Sequence, residues 1–219
     1  MKAVSLWSGG KDSCFACYKA KTFGHEIVAL FNFTDTGGKN SLSHNLPAEL
    51  IVKQAELAGI PLVQKAMPKE TYREEFKGLI SEWKKKSGIQ GVVFGDIYLQ
   101  EHKDWIDRVC KELEVEAILP LWGRDTKELI LEIINSGFKS IVVAVQDDLL
   151  GEKWLGRIID IKFVEELKLG IDPCGEKGEF HTLVVDGPIF RKPIKIVEAE
   201  YIFKESFGKH RFLDIKKYA

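Results

Sequence analysis

The 219-residue chain reads as a parallel α/β protein: a five-stranded sheet with interleaved helices, followed by a smaller α+β unit. Three observations predict this. Over residues 1–120, apolar runs of strand length alternate with amphipathic stretches of helix length, the pattern of β-α repeats and a parallel sheet. Beyond Pro120 that rhythm changes. The length also suits one α/β unit plus a smaller appended one better than two large domains. The expected boundary divides the chain into 1–120 and 121–219.

The elements follow in order. Lys2 to Trp7 is a first strand, Ser8-Gly9-Gly10-Lys11-Asp12 a loop, and Ser13 to Phe23 a helix. Glu26 to Phe33 is a second strand ending in the polar run Thr34-Asp35-Thr36-Gly37-Gly38. A helix from Ala48 to Ala58 is stopped by Gly59 and Pro61, since glycine ends helices and proline cannot continue them. Leu62 to Met67 is a third strand, Glu70 to Lys86 a helix, and Gly91 to Phe94 a fourth strand broken by Gly95-Asp96. Tyr98 to Leu113 is helical, and Val115 to Leu119 is a fifth strand ended by Pro120. In the second part, Thr126 to Ser136 and Phe163 to Leu169 read as helices and Ser140 to Val145 as a strand. Asp172 to Thr182, dense in glycine and charge, is expected to be an exposed loop. Lys195 to Lys204 and Arg211 to Lys216, separated by Gly208, read as a closing hairpin.

Composition excludes several classes. The 32 basic and 33 acidic residues nearly cancel, which argues against bulk nucleic-acid binding, a property that needs concentrated positive charge. The 26 Lys against 6 Arg, with 21 Glu, is a bias found in proteins of hot environments. Cysteines at 14, 17, 110 and 174 are too few and scattered for a disulfide framework. No apolar run approaches the roughly 20 residues needed to span a bilayer. The N-terminus carries no signal-peptide pattern, so the expected compartment is the cytoplasm. The sequence leaves open whether the chain pairs with a second copy of itself.

The strongest chemical signal is Ser8-Gly9-Gly10-Lys11-Asp12-Ser13, between a buried strand and a helix start. Two glycines let the backbone turn tightly, and the helix N-terminus adds unpaired N–H donors and partial positive charge. Ser8 and Ser13 add hydroxyls and Lys11 a full charge, making a socket for phosphate or pyrophosphate. Asp12 would repel phosphate unless it holds a magnesium ion bridging the phosphates. A turn that merely caps a helix would explain Ser-Gly-Gly alone, but not the complete hexapeptide. The spacing fits neither the G-x-x-x-x-G-K-[ST] loop nor G-x-G-x-x-G.

The hexapeptide resembles the PP-loop of the N-type ATP pyrophosphatases, the group that includes GMP synthetase and argininosuccinate synthetase. The resemblance implies a five-stranded Rossmann-like sheet with ATP across its carboxyl ends, as at the switch point of open α/β sheets. It also implies cleavage of ATP to AMP and pyrophosphate, with adenine against Phe31-Asn32-Phe33.

Three further groups stand out. Gly95-Asp96 ends the fourth strand near the first loop, so Asp96 is a candidate for magnesium, ribose or phosphate, with Glu101 and His102 a turn later. His44, in Ser41-Leu-Ser-His-Asn-Leu-Pro47, sits on a loop able to fold over a nucleotide. In Asp172-Pro-Cys-Gly-Glu-Lys-Gly-Glu-Phe-His-Thr182, a carboxylate pair (Glu176, Glu179) and an imidazole (His181) could bind an amine and take its proton. Cys14 and Cys17 lie three apart inside the first helix and read as its buried face, whereas Cys174 is expected to be more exposed. The five tryptophans read as packing residues.

SGGKDS with a downstream GE-x-GEFHT stretch, and GDI and PLW between, resembles the diphthine–ammonia ligase family, in particular the two-part layout of its archaeal members. Members often carry Asn where this chain has Lys177. The resemblance implies an amide ligase: a carboxylate attacks the α-phosphate of ATP, pyrophosphate leaves, and ammonia attacks the acyl-adenylate. Gly9, Gly10, Lys11 and Ser13 would stabilise the departing pyrophosphate, Asp12 and Asp96 would hold magnesium, and Glu176, Glu179 and His181 would position substrate or ammonia. With no room for a glutaminase domain, free ammonium is the expected nitrogen source. The carboxylate would belong to diphthine, a modified histidine on elongation factor two. Two other readings are a tRNA-modifying PP-loop enzyme, which needs a basic face and a reactive cysteine, and an ATP-binding sensor resembling universal stress proteins.

Overall fold

The structure, a computed structural model, describes residues 1–204 and 209–219, so the bend expected at Gly208 lies outside the described residues. The first half forms a five-stranded, all-parallel sheet of β1 (Lys2–Leu6), β2 (Glu26–Thr34), β3 (Leu62–Ala66), β4 (Gly91–Val93) and β5 (Glu116–Ile118). Its strand order is β3-β2-β1-β4-β5. The chain winds outward from β1 to β3, then returns to the other side of β1 for β4. The carboxyl ends of β1 and β4 therefore flank the point where the winding reverses, where open α/β sheets form their ligand crevice.

Helices α1 (Lys11–Thr22), α2 (Ala48–Ala58), α3 (Tyr72–Ser87) and α4 (Gln100–Leu113) connect these strands. The predicted bounds of α2 match, because Gly59 adopts the left-handed conformation that ends it. α1 starts two residues earlier than expected, taking Lys11 and Asp12 into its first turn.

The second half builds an antiparallel sheet, ordered β7-β6-β9-β8, from β6 (Lys139–Gln146), β7 (Phe180–Asp186), β8 (Ile196–Lys204) and β9 (His210–Tyr218). The expected closing hairpin is present as β8 and β9. Helices α5 (Thr126–Asn135) and α6 (Ile161–Glu166) accompany it, each opened by an aspartate whose carboxylate accepts a backbone N–H in the first turn.

One expectation is overturned. Residues 172–182 are not an exposed loop: Phe180 to Thr182 begin β7, and Cys174, Glu179, Phe180 and Thr182 are buried. The charges that suggested exposure bond to backbone instead. Glu179 accepts from the N–H groups of Asp172 (3.3 Å) and Lys177 (3.0 Å), and Asp172 accepts from that of Cys174 (2.8 Å). The exposure expected of Cys174 fails for the same reason.

One apolar cluster continues from the parallel sheet through α1 and α2 into the second sheet, joining Ala3, Trp7, Phe15 and Ile51 to Phe138, Val142 and Leu183. Phe15, Tyr18 and Phe138 meet edge-on or stacked at centroid separations of 5.5–6.0 Å. A separate cluster (Val4, Phe31, Phe76, Val92, Phe94, Ile106) covers the sheet's opposite face.

Gln54 is the polar residue within the first cluster's reach. Fully buried on α2, it accepts from Trp7 Nε1 at 2.9 Å and donates through Nε2 to the carbonyls of Gly9 (3.0 Å) and Val184 (2.8 Å). It ties β1, the loop after it and β7 together. Replacing it strands an indole N–H and a carbonyl in a dry interior. Gln54→Leu is expected to cost about 3 kcal/mol, read as a Tm lower by about 6–12 °C in thermal unfolding.

Candidate active site

The turn after β1 is shaped by what its glycines exclude. Gly9 has φ +86°, and a Cβ there would lie 2.5 Å from Ile51 Cδ1, so only glycine allows both the bend and the packing of α2. A Cβ on Gly10 would fall 2.2 Å from His44 Cε1. Within the turn, Ser8 Oγ and Ser13 Oγ are 2.9 Å apart, and Ser13 Oγ donates to the Gly10 carbonyl at 3.1 Å. The loop is also fastened from outside: Val184 N–H donates to Gly9 O at 2.9 Å, and Lys11 N–H to Thr182 Oγ1 at 3.0 Å.

Lys11 is buried, its ammonium donating to Asp12 Oδ2 at 2.8 Å and to the Cys174 carbonyl. Burial, the largest single influence, pulls its pKa down, but the charge and hydrogen bond of Asp12 together with Cys174 and Glu176 outweigh it, and the net shift is upward. Burial pushes the Asp12 carboxyl up despite Lys11. Its Oδ1 is buried with no hydrogen-bond partner.

A cleft opens over this turn at the β1/β4 reversal. Ser8, Asp12 and Ser13 line it together with Phe31, Asn32 and Phe33 of β2, His44, Gly95, Asp96 and Glu176. Most residues singled out from the sequence thus converge on one hollow. Gly95 is required by proximity, since a Cβ there would sit 2.9 Å from Ser13 N and 3.0 Å from Asp12 C. Asp96 Oδ1 lies 2.9 Å from His102 Nδ1, and that bond raises the imidazole's pKa.

Glu176 is a carboxyl displaced far from the usual carboxylate range. Burial, with Asp12 and Asp96 nearby, drives its pKa up to about 7, although the Ile97 N–H bonds to it at 2.9 Å. His181 is held down to about 4 by burial and the neighbouring His210, and burial holds His44 well below its usual range. Both imidazoles are neutral, with ring centroids 4.8 Å apart.

Other expected members stand apart. Glu101 is exposed and does not line the cleft. Glu179 does not line it either and bonds to its own loop. Among the described residues, no group of three or more His, Cys, Asp or Glu side chains is arranged to hold a metal ion by itself. Ser43 and Tyr72, not singled out from the sequence, also line the cleft. Gln54 was legible as a polar residue on the helical face of Leu50, Ile51 and Leu57; Tyr72 carried no signal beyond its place at a helix start.

Both halves of the chain are similar to known proteins. The sequence profile of the diphthamide synthase N-terminal domain matches residues 1–117, and that of the diphthamide synthase C-terminal domain matches residues 125–219. The diphthine–ammonia ligase of Schizosaccharomyces pombe is 29% identical, over 99% of this chain and 39% of its own length. The diphthine–ammonia ligase of Danio rerio is also 29% identical, over 99% of this chain and 95% of its own. A solved structure from Methanocaldococcus jannaschii, described as a predicted subunit of tRNA methyltransferase, aligns with TM-score 0.48 and 16% identity over 86% of this chain and 98% of that one. With profiles spanning both halves of the chain and the motif turn at the head of its cleft, this protein belongs to the diphthamide synthase family.

Proposed function

We propose that the protein is an ATP-dependent ligase that converts the carboxylate of diphthine on elongation factor two to an amide. Residues 1–120 act as the nucleotide-binding unit and 121–219 as the substrate-binding unit, working in the cytoplasm. The observation that carries the reading is the convergence of the Ser8–Ser13 turn, Asp96 and Glu176 on one cleft at the β1/β4 reversal. The names of the relatives support the substrate.

In the first step a carboxylate oxygen bonds to the α-phosphorus and the bond to the β-phosphate oxygen breaks, releasing pyrophosphate. In the second, the nitrogen of ammonia bonds to the acyl carbon, a proton is lost, and AMP departs. Adenine lies toward Phe31, Asn32 and Phe33, beside Tyr72. The α1 N-terminus, with Gly9, Gly10 and the hydroxyls of Ser8 and Ser13, receives the phosphates, and Lys11 adds charge from behind the turn.

Asp12 and Asp96 are the residues that would hold magnesium. The unpaired, buried Asp12 Oδ1 fits an ion that takes one or two carboxylates and completes its shell with phosphate and water. When bound, the ion neutralises phosphate charge. Glu176 takes the proton from ammonium, leaving neutral ammonia beside His44 and His181, which are uncharged and do not repel an approaching ammonium. Glu179 holds the loop that presents Glu176.

The tRNA-modifying alternative, which needs a reactive cysteine, loses support, because all four cysteines are buried and burial raises each thiol pKa, to about 11 for Cys17 and about 12 for Cys110.

Incubation with ATP, ammonium and diphthine-bearing elongation factor two is expected to yield amide, AMP and pyrophosphate; release of ADP and phosphate instead would overturn the reading. Lys11→Ala and Asp12→Ala should each lower kcat/KM for pyrophosphate release by about 10²-fold or more. For Glu176→Gln, amide formation should fall by about 10²-fold or more, with partial recovery when hydroxylamine, unprotonated at neutral pH, replaces ammonium. In the wild type, the rate at fixed ammonium should rise and then level off as pH passes about 7, whereas the Gln variant should go on rising with the free-ammonia fraction. The linkage runs the other way for stability. The folded protein holds this proton more tightly than the unfolded chain, so the contribution is present at acidic pH and fades as pH climbs through about 7. Glu176→Gln should therefore melt higher than wild type at pH 8 and alike near pH 4.5.

A further inference from the structure

Three imidazoles run in a row from the cleft into the second sheet. His44, on the cleft wall, lies 4.8 Å from His181, whose ring is in turn 6.2 Å from that of His210 on β9, at an interplanar angle of 22°. Beyond His44 is a second hollow of about 290 Å³, walled by His181, His210, Phe212, Leu42 and Gln146. Ser43 lines both this hollow and the nucleotide cleft, so residues 43 and 44 are the partition between them.

The chemistry of the second hollow differs from that of the first. Its described lining contains no carboxylate, and its one full charge, Lys177, is an exposed side chain. What it offers is aromatic: the ring of Phe212, with His210 tilted 34° to it at 6.1 Å, and the ring of His181, which is uncharged. His210 Nε2 is 3.3 Å from the Gly178 carbonyl, while Nδ1 is buried without a partner. A pocket of π faces with a buried ring nitrogen, its one lysine held at the exposed rim, suits a planar heteroaromatic ring or a weakly hydrated organic cation.

We propose that this hollow binds the acceptor side chain, a modified histidine whose imidazole and quaternary ammonium lodge against His210, His181 and Phe212 while its carboxylate passes Ser43 to the α-phosphate of ATP. The proposal rests on the ligase reading and adds the acceptor's seat. Diphthine joins an imidazole to a carboxylate through a short chain that also bears the quaternary nitrogen. Two adjoining hollows separated by one residue layer match a ligand whose reacting group lies that close to its recognition group.

The test uses a synthetic peptide carrying diphthine and the intact wild-type protein labelled with 15N at its imidazoles. Titration without ATP should shift the His181 and His210 ring signals and leave His102, in the nucleotide cleft, unmoved. Shifts at His102 with none at His210 would overturn the proposal. In steady-state assays, His210→Ala should raise KM for the protein acceptor by about tenfold or more with KM for ATP within twofold, and His210→Phe should restore most of the loss by keeping a π face. An unchanged acceptor KM, or equal effects on acceptor and ATP, would equally overturn it. If the wild type forms no amide at all, the ligase reading fails, and the peptide titration still decides whether the hollow takes this side chain.

Discussion

The turn after β1 is held in shape by a strand from the other sheet. Val184 and Thr182 of β7 bond to the backbone of Gly9 and Lys11, and Gln54 bridges Gly9 to Val184 across the buried interior. A glycine-rich bend left to itself samples many conformations, because glycine carries the largest entropy of ordering. Here two bonds to a strand of the second sheet and one from Gln54 on α2 fix it. The cleft and the second hollow beside it are thereby built on one frame. A shared apolar cluster from Ala3 to Leu183 makes the frame continuous.

Electrostatics follow from that frame. Lys11 is enclosed by Asp12, the Cys174 carbonyl and the ring of Phe180, 5.4 Å from its nitrogen, so its charge is oriented in place before a ligand arrives. Oriented charge in a dry setting acts on a reacting phosphate without reorganisation. The same burial raises the Glu176 carboxyl to about 7 and keeps two imidazoles uncharged. Each group is tuned mainly by loss of water, and its neighbours set how far the shift goes.

Much of this was legible in the sequence because it depends on local patterns. Strand and helix periodicity gave all five parallel strands, and the Gly59 stop located the end of α2. The hexapeptide led to the cleft. What escaped depends on partners distant in the chain. β7 was hidden because residues 172–182 carry charge, and nothing local says that Glu179 will bond to the N–H groups of Asp172 and Lys177. Cys174 was read as exposed because its neighbours are polar, yet its carbonyl accepts from Lys11, 163 positions away. His210 enters the imidazole row only through the pairing of β9 with β6, a register that residue types alone do not specify.

The burial of the four thiols has a use outside chemistry at the site. Cys14 and Cys17 lie in α1, Cys110 in α4 and Cys174 in the stretch leading to β7, each closed to solvent. An alkylating reagent can reach any of them only while that part of the molecule is transiently open. The native cysteines are thus ready-made gauges of local breathing in α1, in α4 and in the stretch before β7, without the need to introduce a single foreign residue.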